Sequence, residues 1–242
     1  MTAPSDIGPA TGSTAGGDSS AGRTLAFTVY QKLRNDIIDG ALLPGTRLRS
    51  EFLRQRYEVG NSPVREALNR LSVEGLVSRE DQKGFRVAGI SRTDLLETID
   101  TRIKLEEIAL RESIEHGDMA WEESIILANH RLAGVPASLS VDIYTVNPEW
   151  ERLHGDFHRA LISACGLRWL KRFCQQLMDH ADRYRRLASS ADYSGRDEVE
   201  EHNAIAQAAT SREPDKAIQL LHAHYSWTAE IILKSLHTML EE

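Results

Sequence analysis

Residues 48–87 decide the reading. They begin Leu48-Arg49-Ser50-Glu51-Phe52-Leu53 and run through Val59-Gly60-Asn61-Ser62-Pro63-Val64-Arg65-Glu66-Ala67-Leu68. They close with Glu74-Gly75-Leu76-Val77 and Lys83-Gly84-Phe85-Arg86-Val87. The pattern predicts two short helices, a tight turn and a β-hairpin wing. Ser50 is expected to cap a helix whose inner face is Leu53 and Tyr57. Ser62 is expected to cap the next, with Pro63 at its first position, where a missing N–H costs nothing. Leu68, Leu71 and Leu76 form the apolar side, and Gly75 suits a helix stop. Asn61, Ser62 and Arg65 then point outward from the first turn of the second helix. In a helix-turn-helix those positions meet base edges in the major groove. The Lys83-Gly84 turn brings a cation to the wing tip. The candidate DNA-binding residues are Arg49, Ser50, Glu51, Gly60, Asn61, Ser62, Arg65, Lys83 and Gly84. The alternative is an ordinary helical hairpin with a small sheet and merely solvated arginines.

The run as a whole resembles a known family. Pro44-Gly45-Thr46-Arg47-Leu48, Ser62-Pro63-Val64-Arg65-Glu66-Ala67-Leu68 and Leu71-x-x-Glu74-Gly75-Leu76-Val77 are similar to the winged helix-turn-helix of the GntR family of bacterial transcription regulators. The resemblance implies double-stranded DNA as partner, bound as a palindrome by a homodimer. The family usually has a hydroxyl residue and then an arginine where this chain has Gly60 and Asn61. Arginine reads guanine bidentately, whereas asparagine prefers adenine. An operator unlike the family's usual one is therefore expected.

The 242 residues suffice for two small domains or one large one. Hydrophobic residues make 41% and charged residues 27%, the mix of a soluble globular protein. No apolar run approaches the roughly 18 residues of a membrane span. The Gly-, Ser-, Thr- and Ala-rich N-terminus lacks the apolar core of a signal peptide. Cys165 and Cys174 make no disulfide framework and are expected as buried free thiols, which fits a reducing cytoplasm. The net charge of -7 argues against a uniformly basic nucleic-acid binder. Its distribution is more informative: residues 23–90 hold 12 Lys+Arg against 8 Asp+Glu, and residues 91–242 hold 17 against 26. A basic front on an acidic remainder suits a DNA-binding domain carried by a domain with another task.

In chain order, residues 1–22 lack apolar periodicity and are expected to be disordered. Ala26 to Gly40 reads as helix, with Phe27, Tyr30, Leu33 and Ile37 on its inner face. The winged helix-turn-helix spans 23–88 and a linker 89–92, with Ser91 a plausible cap. From Thr93 onward the periodicity is helical: helices are predicted near 93–116, 119–134, 147–165, 167–189, 197–211 and 214–240. Segment 135–146 reads as a loop with one extra turn near Val141–Tyr144. The fold class is mainly α: a winged helix-turn-helix followed by an all-α bundle of six to seven helices over 93–242.

Four of the nine histidines form a pattern. His154 and His158, four apart, share one helix face with Trp150, Leu153, Phe157 and Leu161, so that face points into the bundle. His202 and His224 lie on the last two helices beside apolar neighbours. All four are able to converge in one interior pocket, where imidazole nitrogens suit zinc, nickel, cobalt or copper. The plainer alternative is four satisfied core or surface histidines. His222 faces the other way, and His116, His130, His180 and His237 carry no comparable pattern. Arg183, Arg185 and Arg186 read as a charged surface face.

Residues 93–235 are also similar to the helical effector-binding domain of the FadR subfamily of GntR, often called the FCD domain. Arg102-x-x-Leu105-Glu106, Phe157-His158-Arg159-Ala160-Leu161, Arg183-Tyr184, Glu201-His202-x-Ala204-Ile205 and Ala217 through His224 to Thr228 carry that resemblance. It implies a divalent transition metal at His154, His158, His202 and His224. His154 stands where an acid or amide is commoner, which leaves either an all-nitrogen site suited to zinc or nickel, or a His154 that stands aside. Asp156 lies on the wrong face to substitute. The resemblance further implies a small carboxylate metabolite held by the metal and Arg102, with Glu106 and Tyr184 nearby. Otherwise Arg102 is a structural ion pair with Glu106.

Three functions fit. The first is a ligand-responsive transcription regulator, with repression the commoner logic of the family. The second is a metal-dependent hydrolase on a nucleic-acid-binding head. Against it, the chain has no HExxH, no nucleophile elbow and no phosphate-binding glycine loop. The third is a constitutive DNA-binding dimer with structural histidines.

Overall fold

The computed structural model describes residues 18–80, 83–140, 145–188 and 196–241. The expected disorder of 1–17 and the extra turn near 141–144 lie outside them. The chain divides into two compact units. One holds the first helix through Asn35 together with Arg47–Arg86, and the other holds Asp36–Thr46 together with Val87–Glu242.

The first unit contains α1 (Asp18–Ile38), α2 (Ser50–Tyr57), α3 (Asn61–Val73), and the paired strands β1 (Val77–Glu80) and β2 (Gly84–Val87). Its core is built by Leu33 of α1, Leu53 of α2, Val64, Leu68 and Leu71 of α3, and Leu76. Three expectations are corrected. α1 begins at Asp18, inside the stretch expected to be disordered. Phe27 lies on the outside of α1, where Val29 is buried instead. Neither serine is a cap: Arg49 and Gly60 occupy the N-cap positions, without side-chain cap bonds. Pro63 is then third in α3, still among the positions whose N–H has no partner in the helix. Gly75 does end α3. At φ 80 it lets the Leu76 N–H reach Leu71 O at 3.1 Å and its own N–H reach Ser72 O at 3.3 Å.

The second unit contains α4 (Arg92–His116), α5 (Met119–Ala133), α6 (Pro148–Leu161), α7 (Arg168–Leu187), α8 (Glu198–Thr210) and α9 (Pro214–Glu241). Among the described residues it is helical apart from one bridge, Ser138 to Val146. Local chemistry starts these helices. Ser91, Asp118, Asn147 and Asp197 each accept a bond from a first-turn N–H. α4 packs on α7 and α9, α5 on α6 and α8, and α8 on α9. α6 ends at Leu161, short of the expected 165, and the Trp121 indole donates to the carbonyls of Ala160 (3.1 Å) and Leu161 (3.3 Å) at that end. No described helix is long and apolar enough to cross a membrane.

Candidate nucleic-acid interface and candidate metal centre

α3 buries Val64, Ala67, Leu68 and Leu71 and turns Asn61, Ser62 and Arg65 to solvent. None of these three has a side-chain partner among the described residues. Arg49 and Lys83 are likewise exposed and unpaired among the described residues. Other arginines of the unit are engaged: Arg54 with Glu51 (3.0 Å), Arg70 with Glu74 (3.3 Å) and Arg86 with Glu80 (2.9 Å). Glu51 also accepts from Gln55 at 3.2 Å, so this candidate contact is occupied within α2. Ser50 is the exposed first residue of α2. Gly84, at φ 89, follows Lys83 where the wing turns into β2.

In the second unit α6, α8 and α9 bring His154, His158, His202 and His224 together. One ring nitrogen from each lies within 4.8 Å of the others, and all four residues are buried. His154 Nε2 and His158 Nε2 are 3.1 Å apart. Burial holds His154, His158 and His202 well below the usual histidine range, and repulsion from His224 and from the nearby arginines Arg102, Arg185 and Arg196 adds to it. Burial also brings His224 down to about 4, against the upward pull of Glu201. The cluster is therefore neutral at physiological pH, the ligand form of imidazole.

The surrounding bonds set the tautomers. The single Tyr225 hydroxyl proton goes to Glu106 at 2.6 Å, while Arg102 donates to the same oxygen at 2.8 Å. His158 Nδ1, 2.9 Å from that oxygen, must then carry the donated proton, which leaves Nε2 with a bare lone pair. His224 Nδ1 donates to Glu201 at 2.7 Å, with the same result. Glu201 is braced by Arg196 at 2.6 and 2.8 Å. Despite the cost of burial, these bonds hold its carboxyl at about 2. A carboxylate behind a histidine is the support that orients metal ligands. His154 Nδ1 and His202 Nε2 are buried with no hydrogen-bond partner among the described residues. Such orphaned nitrogens are costly unless something outside the chain meets them. The residues fit a transition-metal ion with nitrogen preference, and the donor set includes no carboxylate.

A cavity of about 20 Å³ adjoins the cluster, lined among others by Arg102, His154, Asp182, Arg185, His224 and Tyr225. Burial works against charge on Arg102, but Glu106 at 2.7 Å prevails and keeps the guanidinium protonated. Arg102 is thus an ion pair and also faces the cavity. Tyr184 does not line it: the hydroxyl donates to Asp94 at 2.6 Å and accepts from the Ser91 N–H at 3.0 Å. Asp156 stays outside, paired with Arg152 and Arg159. The surface reading of the α7 arginines is corrected. Arg183 and Arg185 are buried, and Arg185 makes bonds of 2.6 and 2.7 Å to buried Glu151. Arg186 bonds Glu151 at 3.0 Å and pairs with Asp39, and Arg183 donates to the carbonyl of Ala88. Tyr225, Arg196 and Glu151 were not anticipated as supports. Tyr225 adjoins His224 and Glu151 adjoins an apolar stripe, whereas Arg196 carries no such signal in sequence.

Residues 25–87 match the family described as "Bacterial regulatory proteins, gntR family", and residues 97–226 match the FCD domain. Over 210 residues the chain is 38% identical to BphR of Paraburkholderia xenovorans (strain LB400), an "Uncharacterized HTH-type transcriptional regulator"; the match covers 87% of this chain and 86% of that one. It is 32% identical over 212 residues to "HTH-type transcriptional repressor GlaR" of Escherichia coli (strain K12), covering 86% of this chain and 95% of that one. The solved structure "E. coli McbR/YncC" shares the fold, with a TM-score of 0.74 at 20% identity over 88% of this chain and 98% of that one. These relatives are regulators rather than enzymes, as the sequence led one to expect. With a gntR-type winged helix-turn-helix ahead of an FCD domain, the chain belongs to the GntR family of DNA-binding transcription regulators.

Proposed function

We propose that this regulator is a homodimeric, cytoplasmic repressor whose helical domain holds zinc or nickel on His154, His158, His202 and His224 and senses a small carboxylate metabolite. The observation that carries the reading is the pair of orphaned nitrogens in a buried, neutral four-histidine cluster. A bound metal supplies positive charge and open positions for a carboxylate oxygen. Arg102, charged and facing the same cavity, supplies the second cation. A two-fold dimer presents two recognition helices to the two halves of a palindrome. GlaR, over 86% of this chain, is named a repressor, which supports repression here.

The cavity of about 20 Å³ has room for one water-sized guest. A metabolite therefore enters by displacing the side chains around it, and that displacement is the signal. It regulates only if the ligand binds the DNA-competent and DNA-incompetent forms unequally. The last turn of α7 is the route outward: Arg185 lines the cavity, Arg186 reaches Asp39, and Arg183 holds the carbonyl of Ala88.

Metal analysis of the purified chain tests the centre. One zinc or nickel per chain is expected, and none in His158→Ala. A chain that neither carries nor takes up a transition metal overturns it, and the constitutive-dimer alternative then stands.

A further inference from the structure

Gly60 has no reason within the fold to be glycine. Its φ of -76 and ψ of 178 are open to any residue. A Cβ built there meets nothing within 4 Å. Gly75 and Gly84, by contrast, sit at φ 80 and 89, where a side chain is strained. Gly60 is also the N-cap of α3, where a serine would do at least as well. The space it leaves lies over the exposed end of the recognition helix, beside Asn61, the first residue of that helix. Asn61 has no intramolecular partner among the described residues. Its carboxamide carries one acceptor and two donors, and it is several bonds shorter than an arginine.

We propose that Gly60 and Asn61 act together as a close-approach reader of adenine. The missing side chain lets the end of α3 sit deeper in the major groove. At that depth the short carboxamide reaches the base edge: Oδ1 accepts from the adenine N6 amino group and Nδ2 donates to N7. Arg65, one turn on and unpaired among the described residues, supplies the long cationic contact that Asn61 does not. The inference rests on the DNA-binding role alone and is independent of the metal centre.

The test is selection from randomised double-stranded DNA by the full chain supplied with zinc, run beside its variants. The wild type fixes adenine at one position of each half-site. Asn61→Ala loses the preference at that position alone, and its affinity for the selected sequence falls roughly 5- to 150-fold. Asn61→Arg moves the preference there to guanine. Gly60→Ser keeps its melting temperature yet loses affinity for the wild-type sequence, because its hydroxymethyl group holds Asn61 off the base. The double variant, with the longer arginine, binds the guanine sequence despite the serine. Two results overturn the proposal: an Asn61→Ala selection with the wild-type base preference, or a Gly60→Ser chain that binds the wild-type sequence undiminished. No enrichment by the wild type itself overturns both this proposal and the operator-binding role, whereas enrichment that the variants leave untouched removes this proposal only.

Discussion

Tyr225 engages three partners with one hydroxyl, Glu106, Arg102 and His158 at 2.6, 2.8 and 2.9 Å. Tyr225→Phe strands those groups in the interior, so a loss of about 1–3 kcal/mol is expected in thermal or chemical denaturation. Because the hydroxyl also orients His158, metal affinity measured against a chromophoric chelator should fall about 10–100-fold. Unchanged affinity would remove Tyr225 from the support of the centre. His224 sets a pH dependence. Its folded-state value of about 4 lies below the ordinary 6.5 because of burial. As pH falls from 6.5 to 4 the unfolded chain takes up the proton and the folded chain does not. Stability present above pH 6.5 is therefore lost across that window, by about 3 kcal/mol for this residue. His154, His158 and His202 act in the same direction. Denaturation of the metal-free chain between neutral pH and pH 4 measures it, and a flat profile contradicts the buried, neutral cluster. The spacing of His154 and His158 was legible because one helix fixes it. The burial of Arg185 was not, since three nearby arginines look the same in sequence whether they face water or Glu151.

At the scale of elements, α2 ends on Glu58 at φ 56, a left-handed conformation that a side chain adopts only at a cost. Glu58→Gly should raise stability by up to about 1 kcal/mol, read as a higher melting temperature. A lower one would mean that the glutamate side chain itself stabilises the turn. In α3, Arg65→Ala should weaken operator binding by about 1–3 kcal/mol, measured by titration at fixed salt. Equal affinity would place Arg65 off the DNA. Most element boundaries were legible within a few residues, because apolar stripes at helical spacing are local. The caps of α2 and α3 were not, since Arg49 and Gly60 hold the N-cap positions expected of Ser50 and Ser62. α6 stopped early, and its end is met by a tertiary contact, the indole of Trp121 reaching across from α5.

At the scale of the whole chain, Glu151 is the point where the cavity and the turn after α1 share one carboxylate. It holds Arg185, which lines the cavity, and Arg186, which also pairs with Asp39. Glu151→Gln leaves two cations short of a counter-charge and should cost about 3 kcal/mol. Hydrogen exchange should quicken at 36–46 and 87–91, and exchange there equal to wild type would break the proposed route. The sequence by itself determined the mainly α class, the winged helix-turn-helix, the helical domain behind it and the identity of the four histidines. Periodicity, turn residues and motif spacing are short-range properties, written in neighbouring letters. Only the tertiary structure decided that His202 and His224 meet His154 and His158 with nitrogens left over, that Tyr184 serves the start of α4, and that Tyr225 stands behind His158 from 67 residues away. Those relations depend on how separate helices pack, and nothing in the local pattern fixes which side chains meet once they do.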